Sequence, residues 1–477
     1  AGRSLRRRVR RTAAVGEVMS GTGGDDDPGT LSLHFSLAER PGEAWIYSLV
    51  AAENAKGKFA NADAAEFYRR ALDAARELPT LARADVGHAW ESLGDVLELS
   101  GDYGAAALAY KAARAHLRGD DEALADLCVK EGRLRESEGR YDDALRWYAR
   151  GLRHLEPLPT TIAVGTRLRL ELGSAAARFR QGSFLVCVEW CERVVEKARS
   201  TGALAELAHA YYLLFISYTS LGSPRRRDVR NLALPIYEEL NDLLGQANAL
   251  NNLGIDAYYE GRWDDALDYY ERSRQTRERI GDVVGAATIA NNIAEILSDQ
   301  GLIAEAETLL HDVVVTAEAT GNPLLGAVAK GNLGRAAARA MRLDEASRLL
   351  EESLEAVRTI EAAGFVVEMQ ARIAEVALLA RDHERALSAA DVYSDTPPLQ
   401  ALLHRVRGYA LLQAGHPNEA AAEIERSLEI ARECGAIYEI ALSLSARASL
   451  TGKVGARAKG GGTLEVLRVV HVPEPPA

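Results

Sequence analysis

The chain has 477 residues, 47% of them apolar and 26% charged. That length exceeds the roughly 250–300 residues at which a single hydrophobic core stops growing, so several domains or a repeat array are required. A net charge of −12 disfavours nucleic acid, four cysteines are too few for a disulfide scaffold, and no apolar run reaches the roughly 20 residues that span a bilayer.

The chain opens at Ala1 on an arginine-rich amphipathic stretch with Arg3, Arg6, Arg7, Arg8, Arg10 and Arg11. It reads as the interior of a longer protein, and no apolar signal-peptide core follows it. Gly21 to Gly29, with Asp25, Asp26 and Asp27, has loop composition, so 1–29 is expected to be a flexible junction segment. Helical patterning begins around Leu31–Phe35 and Trp45–Ala55 without clear repeat anchors.

From there one pattern recurs: a glycine, an aromatic two residues later and an alanine five residues later. Gly57 with Phe59 begins it. Gly101, Tyr103 and Ala106 fit, as do Gly139, Tyr141 and Ala144, and Gly261, Trp263 and Ala266. Gly301 with Ala306 and Gly415 with Ala420 keep the pair; Met341 with Ala346 and Arg381 with Ala386 keep the alanine. Gly182 with Cys187 and Gly222 with Arg227 are weaker copies. Successive anchors lie 34 to 44 residues apart, mostly near 40.

Each element has a physical task. In Asn248–Asp282 the first segment is apolar at Leu250, Leu253 and Ala257, which is helical spacing. Gly254 is expected where a neighbouring helix must approach closely, and Gly261 where the helix ends in a left-handed turn. Trp263 is expected to pack across that turn. A second amphipathic helix follows, with Ala266, Leu267, Tyr270 and Ile280 on its apolar side. Ala266 and Ala346 should mark crossings of the two helices of one repeat. The copy at Gly222–Leu234, flanked by Pro224 and Pro235, should be the softest unit.

The order Leu253-Gly254, Gly261, Ala266, repeated at Leu93-Gly94, Gly101, Ala106, resembles tetratricopeptide repeats (TPR). The resemblance implies an all-α, right-handed solenoid of about ten helix-turn-helix units over 30–450. A period near 40 alone would favour HEAT or armadillo repeats; the glycine–aromatic–alanine order decides against them. Longer helices account for the extra residues. After the solenoid, 451–477 forms a tail. Gly452–Gly462 is rich in glycine, alanine and lysine, and Leu464–Val472 is a β-branched run expected to be a loose extended segment or a short packing strand. Pro473–Pro476 stop it.

A second resemblance rests on Leu5-Arg6-Arg7-Arg8, Leu31-Ser32-Leu33-His34-Phe35, Ala44-Trp45, Phe59-Ala60-Asn61-Ala62, Tyr68-Arg69-Arg70-Ala71-Leu72 and Val469-Val470-His471-Val472-Pro473. Together these look like the C-terminal TPR region of bacterial signalling ATPases fused to class III adenylate/guanylate cyclases. The family's catalytic residues have no counterpart: the sequence contains no Gly-x-x-x-x-Gly-Lys-[Ser/Thr] phosphate loop. A non-catalytic chain without cofactor or metal is therefore expected.

Isolated polar residues read as structural. Cys187 and Cys191 are expected to be buried packing. The histidines sit at turns or on helices without a partnered nucleophile. Asp142-Asp143 and Asp264-Asp265 complement helix dipoles. One set stands apart. Asn252, Asn292 and Asn332 are spaced by 40 residues on successive first helices. Their amides either form a ladder that holds an extended peptide or tie neighbouring helices together. One turn on come Ile255, Glu295 and Arg335, then Tyr259, Asp299 and Arg339, which would let a groove read ligand charge. The expected function is a cytoplasmic protein-interaction scaffold or sensor arm. It would bind a protein or peptide partner, including the ATPase/cyclase domains of its own protein, and neither nucleic acid nor membrane. The alternatives are a small-ligand sensor and part of a transcriptional regulator.

Overall fold

The computed structural model describes residues 27–159, 163–360, 362–451, 461–470, 472–473 and 475. The arginine-rich start and most of the Gly452–Gly462 stretch lie outside the described residues. Among those described there are twenty-three helices within 28–451, a short helical stretch at 461–466, and no strand.

Contacts divide the chain into two compact units, one within Ala1–Leu221 and Arg225–Ile236, the other within Gly222–Pro224 and Tyr237–Ala477. The helices of the first are α1 (Pro28–Leu37), α2 (Pro41–Gly57), α3 (Asn61–Ala75), α4 (Arg83–Leu99), α5 (Tyr103–His116), α6 (Asp121–Ser137), α7 (Tyr141–Leu155), α8 (Val164–Arg180), α9 (Phe184–Thr201), α10 (Leu204–Ser220) and α11 (Arg226–Val229). Helix α12 (Ala233–Glu239) carries the division. The second unit holds α13 (Leu243–Tyr259), α14 (Trp263–Arg279), α15 (Val283–Gln300), α16 (Ile303–Thr320), α17 (Pro323–Arg339), α18 (Leu343–Thr359), α19 (Ala363–Leu379), α20 (His383–Ala390), α21 (Pro397–Gln413), α22 (Pro417–Cys434) and α23 (Ile437–Thr451).

The helix starts at Pro28 rather than after Gly29. Asp27 caps it by accepting from the Gly29 and Thr30 amides, and a proline in the first turn gives up no helical hydrogen bond. In the second unit, helices of 17 or 18 residues joined by short turns produce the step of 40. The step falls to 34 between Arg381 and Gly415 because α20 has only 8 residues.

The turn chemistry repeats. Asp242, Asp282 and Asn322 cap α13, α15 and α17, each side chain accepting from the amide three residues on. Gly261, Gly281, Gly301 and Gly321 end their helices at φ of +71°, +73°, +86° and +64°. Met341 and Arg381 adopt the same left-handed geometry at φ +60° and +64°, so the anchor shape survives where the glycine does not.

Packing within each hairpin follows from small residues. A Cβ at Gly254 would stand 2.5 Å from the Tyr270 ring, and Gly94 meets Tyr110 and Gly132 meets Tyr148 in the same way. Ala106, Ala144, Ala266, Ala306, Ala346, Ala386 and Ala420 are all fully buried, as is Cys187 in the weaker copy. Buried serines add a tie the sequence did not advertise: Ser273, Ser353 and Ser427 each donate to a first-helix carbonyl, of Ala247, Ala327 and Ala401, at 2.7–2.8 Å. Cys187 and Cys191 lie side by side and fully buried, sulfur to sulfur 3.9 Å.

The second unit closes on itself. Trp263 stacks on Tyr258 at 5.7 Å and donates its indole N–H to the Tyr258 carbonyl at 3.0 Å. Its other side receives Tyr438 of α23 edge-on at 5.2 Å. The first hairpin and the last helix of this unit thus share one apolar cluster, which also contains Leu467 beyond α23.

Candidate functional site: the first-helix groove of the second unit

The first helices α13, α15 and α17 share one polar face, joined from helix to helix by side-chain hydrogen bonds. Asn252, Asn292 and Asn332 occupy equivalent places on it, and their amides are engaged between or within helices. Asn292 Nδ2 donates to Asn251 Oδ1 at 3.1 Å, and Asn332 Nδ2 to Asn291 Oδ1 at 3.0 Å. Asn252 Nδ2 turns back to the Asn248 carbonyl at 3.0 Å. The acceptors Asn251 and Asn291 went unnoticed in the sequence, although the doubled Asn251-Asn252 and Asn291-Asn292 were a visible signal.

One turn along, the charged residues meet each other. Asp299 is fully buried and accepts from Arg335 Nη2 at 2.6 Å through both oxygens, from Arg339 Nη2 at 3.2 Å and from the Tyr258 hydroxyl at 2.8 Å. Arg335 also donates to Glu295. Burial pushes the Tyr258 hydroxyl well above its ordinary pKa and the Asp299 and Glu295 carboxylates push it further, so it stays a proton donor. Of the remaining two groove positions, Ile255 is half-buried in the apolar cluster, and the Tyr259 ring stands edge-on to Tyr258 at 5.3 Å.

The next helices continue the pattern. Arg372 donates to Glu375 at 3.0 Å, and Arg405 bridges Glu375 at 3.1 Å and Glu439 at 3.2 Å. Burial alone would raise the Glu375 pKa, but the guanidinium groups of Arg372 and Arg405 hold it far below the usual carboxylate range. Sequence reasoning missed these residues. Stepping forward by the same 40 from Asn332 and Arg335 reaches Arg372 and Glu375.

Arg335, Arg339, Arg372, Glu375 and Arg405 line a small recess of about 40 Å³. Ala338, Leu378 and Leu379 supply apolar wall, and Val472, Pro473 and Pro475 of the C-terminal segment complete the lining. Among the described residues, the Nε–H groups of Arg335 and Arg372 are buried without an acceptor. These two nitrogens are closed off from solvent, and the recess itself is bordered by guanidinium groups beside an apolar wall. No group of three or more His, Cys, Asp or Glu among the described residues could hold a metal. No helix among them is long and apolar enough to cross a membrane.

Among its described residues the C-terminal segment forms no strand. Residues 461–466 are helical, and the turn closes with Val469 N donating to Leu464 O at 2.9 Å around Arg468 at φ +56°. Beyond it Val472, Pro473 and Pro475 reach the arginine-lined recess. This reverse turn satisfies the helix's last carbonyls, which a single added strand without a neighbour would not.

Paired helices, small residues at each crossing and left-handed turns at a fixed step define a TPR-type α-solenoid. Residues 246–280 and 285–359 match tetratricopeptide repeat family models. The chain is a tetratricopeptide-repeat protein. No curated protein matches it in sequence. Among solved structures, a Rap protein complexed with Competence and Sporulation Factor is similar at TM-score 0.51 and 14% identity, covering 74% of this chain and 99% of that one. A signal transduction ATPase with numerous domains (STAND) protein with a tetratricopeptide repeat sensor, from Pyrococcus horikoshii, gives TM-score 0.49 at 15% identity. That match covers 79% of this chain and spans 56% of the length of the other. Repeats of this kind are generally non-catalytic and serve protein–protein interaction.

Proposed function

We propose that the groove of the second unit binds an extended segment of a protein partner, and that the chain acts as the interaction or sensor arm of a cytoplasmic signalling ATPase or cyclase. The observation that carries the binding reading is the recess. Arg335, Arg339, Arg372 and Arg405 border it next to Ala338, Leu378 and Leu379. Main-chain carbonyls flanked by aliphatic side chains match that lining, because guanidinium groups donate to carbonyls while the wall buries apolar area. The Rap protein of the same fold was solved with Competence and Sporulation Factor bound, so a solenoid of this kind is compatible with a bound ligand. The signalling assignment rests on the sequence resemblance at Leu31–Phe35, Trp45 and Phe59–Ala62.

A random peptide library displayed on phage and panned against the chain tests the reading. We expect enriched peptides whose affinity falls by at least about ten-fold with Leu379→Arg, which fills the recess, at an unchanged melting temperature. Selected peptides that bind the variant as tightly as the parent would place binding elsewhere. The finer proposal is that Asn252, Asn292 and Asn332 use their remaining amide capacity on the ligand. It requires the triple Asn→Ala variant to bind these peptides more weakly while melting normally. An early melt with unchanged affinity would leave the asparagines as helix ties alone.

A further inference from the structure

The segment beyond α23 is tied to the C-terminal end of α15 by main-chain hydrogen bonds of the kind proposed for a partner. Val470 N donates to the Gln300 carbonyl at 2.8 Å, and Gln300 Nε2 donates to the Leu467 carbonyl at 3.2 Å. One first-helix residue thus reads both a donor and an acceptor on the main chain of the turn that follows the 461–466 helix. Leu467 is 2% exposed, in the cluster of Trp263, Tyr438 and Leu442, with Leu464, Val469 and Val472 packed around it. Further on, Val472, Pro473 and Pro475 reach the arginine-lined recess.

The same contacts are few enough to be given up. Val466 and Val470 are 79% and 77% exposed. The ion pair of Arg468 with Asp264, 2.8 Å long, lies on the surface with both side chains mostly in solvent, where such pairs add little. Burial of Leu467 and Pro473 and the pair of bonds at Gln300 carry most of the attachment.

We infer that Leu464–Pro475 is a resident occupant of the second unit's groove, and that a partner enters by displacing it with a peptide of the same chemistry, aliphatic β-branched residues running into proline. The inference rests on the peptide-binding reading above and adds to it a built-in competitor. Because the occupant is covalently attached, it lowers the partner's apparent affinity by the fraction of time the groove stands open. It thereby sets a threshold of partner concentration.

The probe is a fluorescein-labelled synthetic peptide with the sequence of Leu464–Ala477, titrated by anisotropy against the full chain and against the full chain carrying Leu467→Glu and Val469→Glu. These substitutions put carboxylates where the segment is buried, so they release it without altering the groove. The released variant is expected to take up the probe at least about ten-fold more tightly than the parent, and adding Leu379→Arg is expected to abolish the uptake. Equal binding by parent and released variant, or no uptake by either, overturns the inference. So does a released variant that melts early and gains no uptake, since the segment would then be ordinary packing. Exchange of the Val470 amide gives a readout that needs no variant. It should be protected in the parent and lose protection when a library-selected peptide saturates the groove; protection that survives saturation overturns displacement. Selected peptides that bind parent and released variant equally, yet respond to Leu379→Arg, would sink the resident occupant and leave the peptide-binding reading standing.

Discussion

Gly261 and Gly281 are alike in sequence and turn geometry, at φ +71° and +73°, yet their surroundings differ. A Cβ at Gly281 meets nothing within 4 Å, whereas one at Gly261 would lie 2.9 Å from Cβ and Cγ2 of Ile437. Ile437 Cβ is fixed to the α23 backbone and cannot swing aside. Gly281→Ala should therefore cost only the left-handed penalty of an L residue, about 1–2 kcal/mol. Gly261→Ala should add an overpacking cost of about 1–3 kcal/mol. Urea midpoints of the two variants check this, and equal losses would show that α23 does not press on the first turn of the unit. Nothing in the local sequence separates the two glycines. The repeat pattern made their shared geometry readable; the difference arises from a contact with a residue more than 170 positions later.

At the scale of the element, the register of the first helices was readable, although the helix read from Asn248 begins at Leu243, but what their polar face does was not. The step of 40 placed Asn252, Asn292 and Asn332, then Glu295 with Arg335 and Asp299 with Arg339, at equivalent heights. Periodicity gives the height. It does not say whether a side chain turns to the groove or to the neighbouring helix. Neighbouring first helices stand close enough for Asn332 to reach Asn291 at 3.0 Å and for Arg335 to reach Asp299 at 2.6 Å. Burial then favours mutual pairing, because an unpaired charge in that position would be costly. The tail was hardest to read. A β-branched run ahead of prolines fits a strand or an extended segment equally, and only the nearby Gln300 decides how its main chain is satisfied. Asp299→Asn tests the pairing. It removes the charge shared by two guanidinium groups, with Arg335 4% exposed, and should destabilise the second unit by about 3–5 kcal/mol. Combining Asp299→Leu with Arg335→Met should recover part of that loss. A loss below about 1 kcal/mol for Asp299→Asn, the level of a surface pair, would mean that water reaches the cluster.

Across the whole molecule the repeats are uneven. Arrays of this kind are held by contacts between successive units, so a unit that buries little weakens the chain locally. The copy anchored at Gly222 is the poorest. Its anchor keeps the left-handed turn, at φ +62°, but Arg227 stands where the other copies place a buried alanine or cysteine. The consequence is visible in the helices. The first helix of this copy, α10, keeps 17 residues, but in place of one long second helix there are α11, with 4 residues and none of them buried, and α12, with 7. Pro235 lacks the amide that a helix interior needs, and the division between the two compact units falls within this stretch. Amides there are closed by fewer and shorter hydrogen-bonded runs, so they should open at a lower free energy than those of the flanking hairpins. Hydrogen exchange followed by mass spectrometry should find protection in 222–235 at least about ten-fold lower than in 248–280, where Leu250, Leu253, Ala257 and Ala266 are buried. Equal protection would mean that stability in this chain does not follow local burial. Replacing Arg227 with alanine separates the causes. If the missing small residue limits the unit, protection in 222–235 rises; if it stays low, the short helices and Pro235 set the limit.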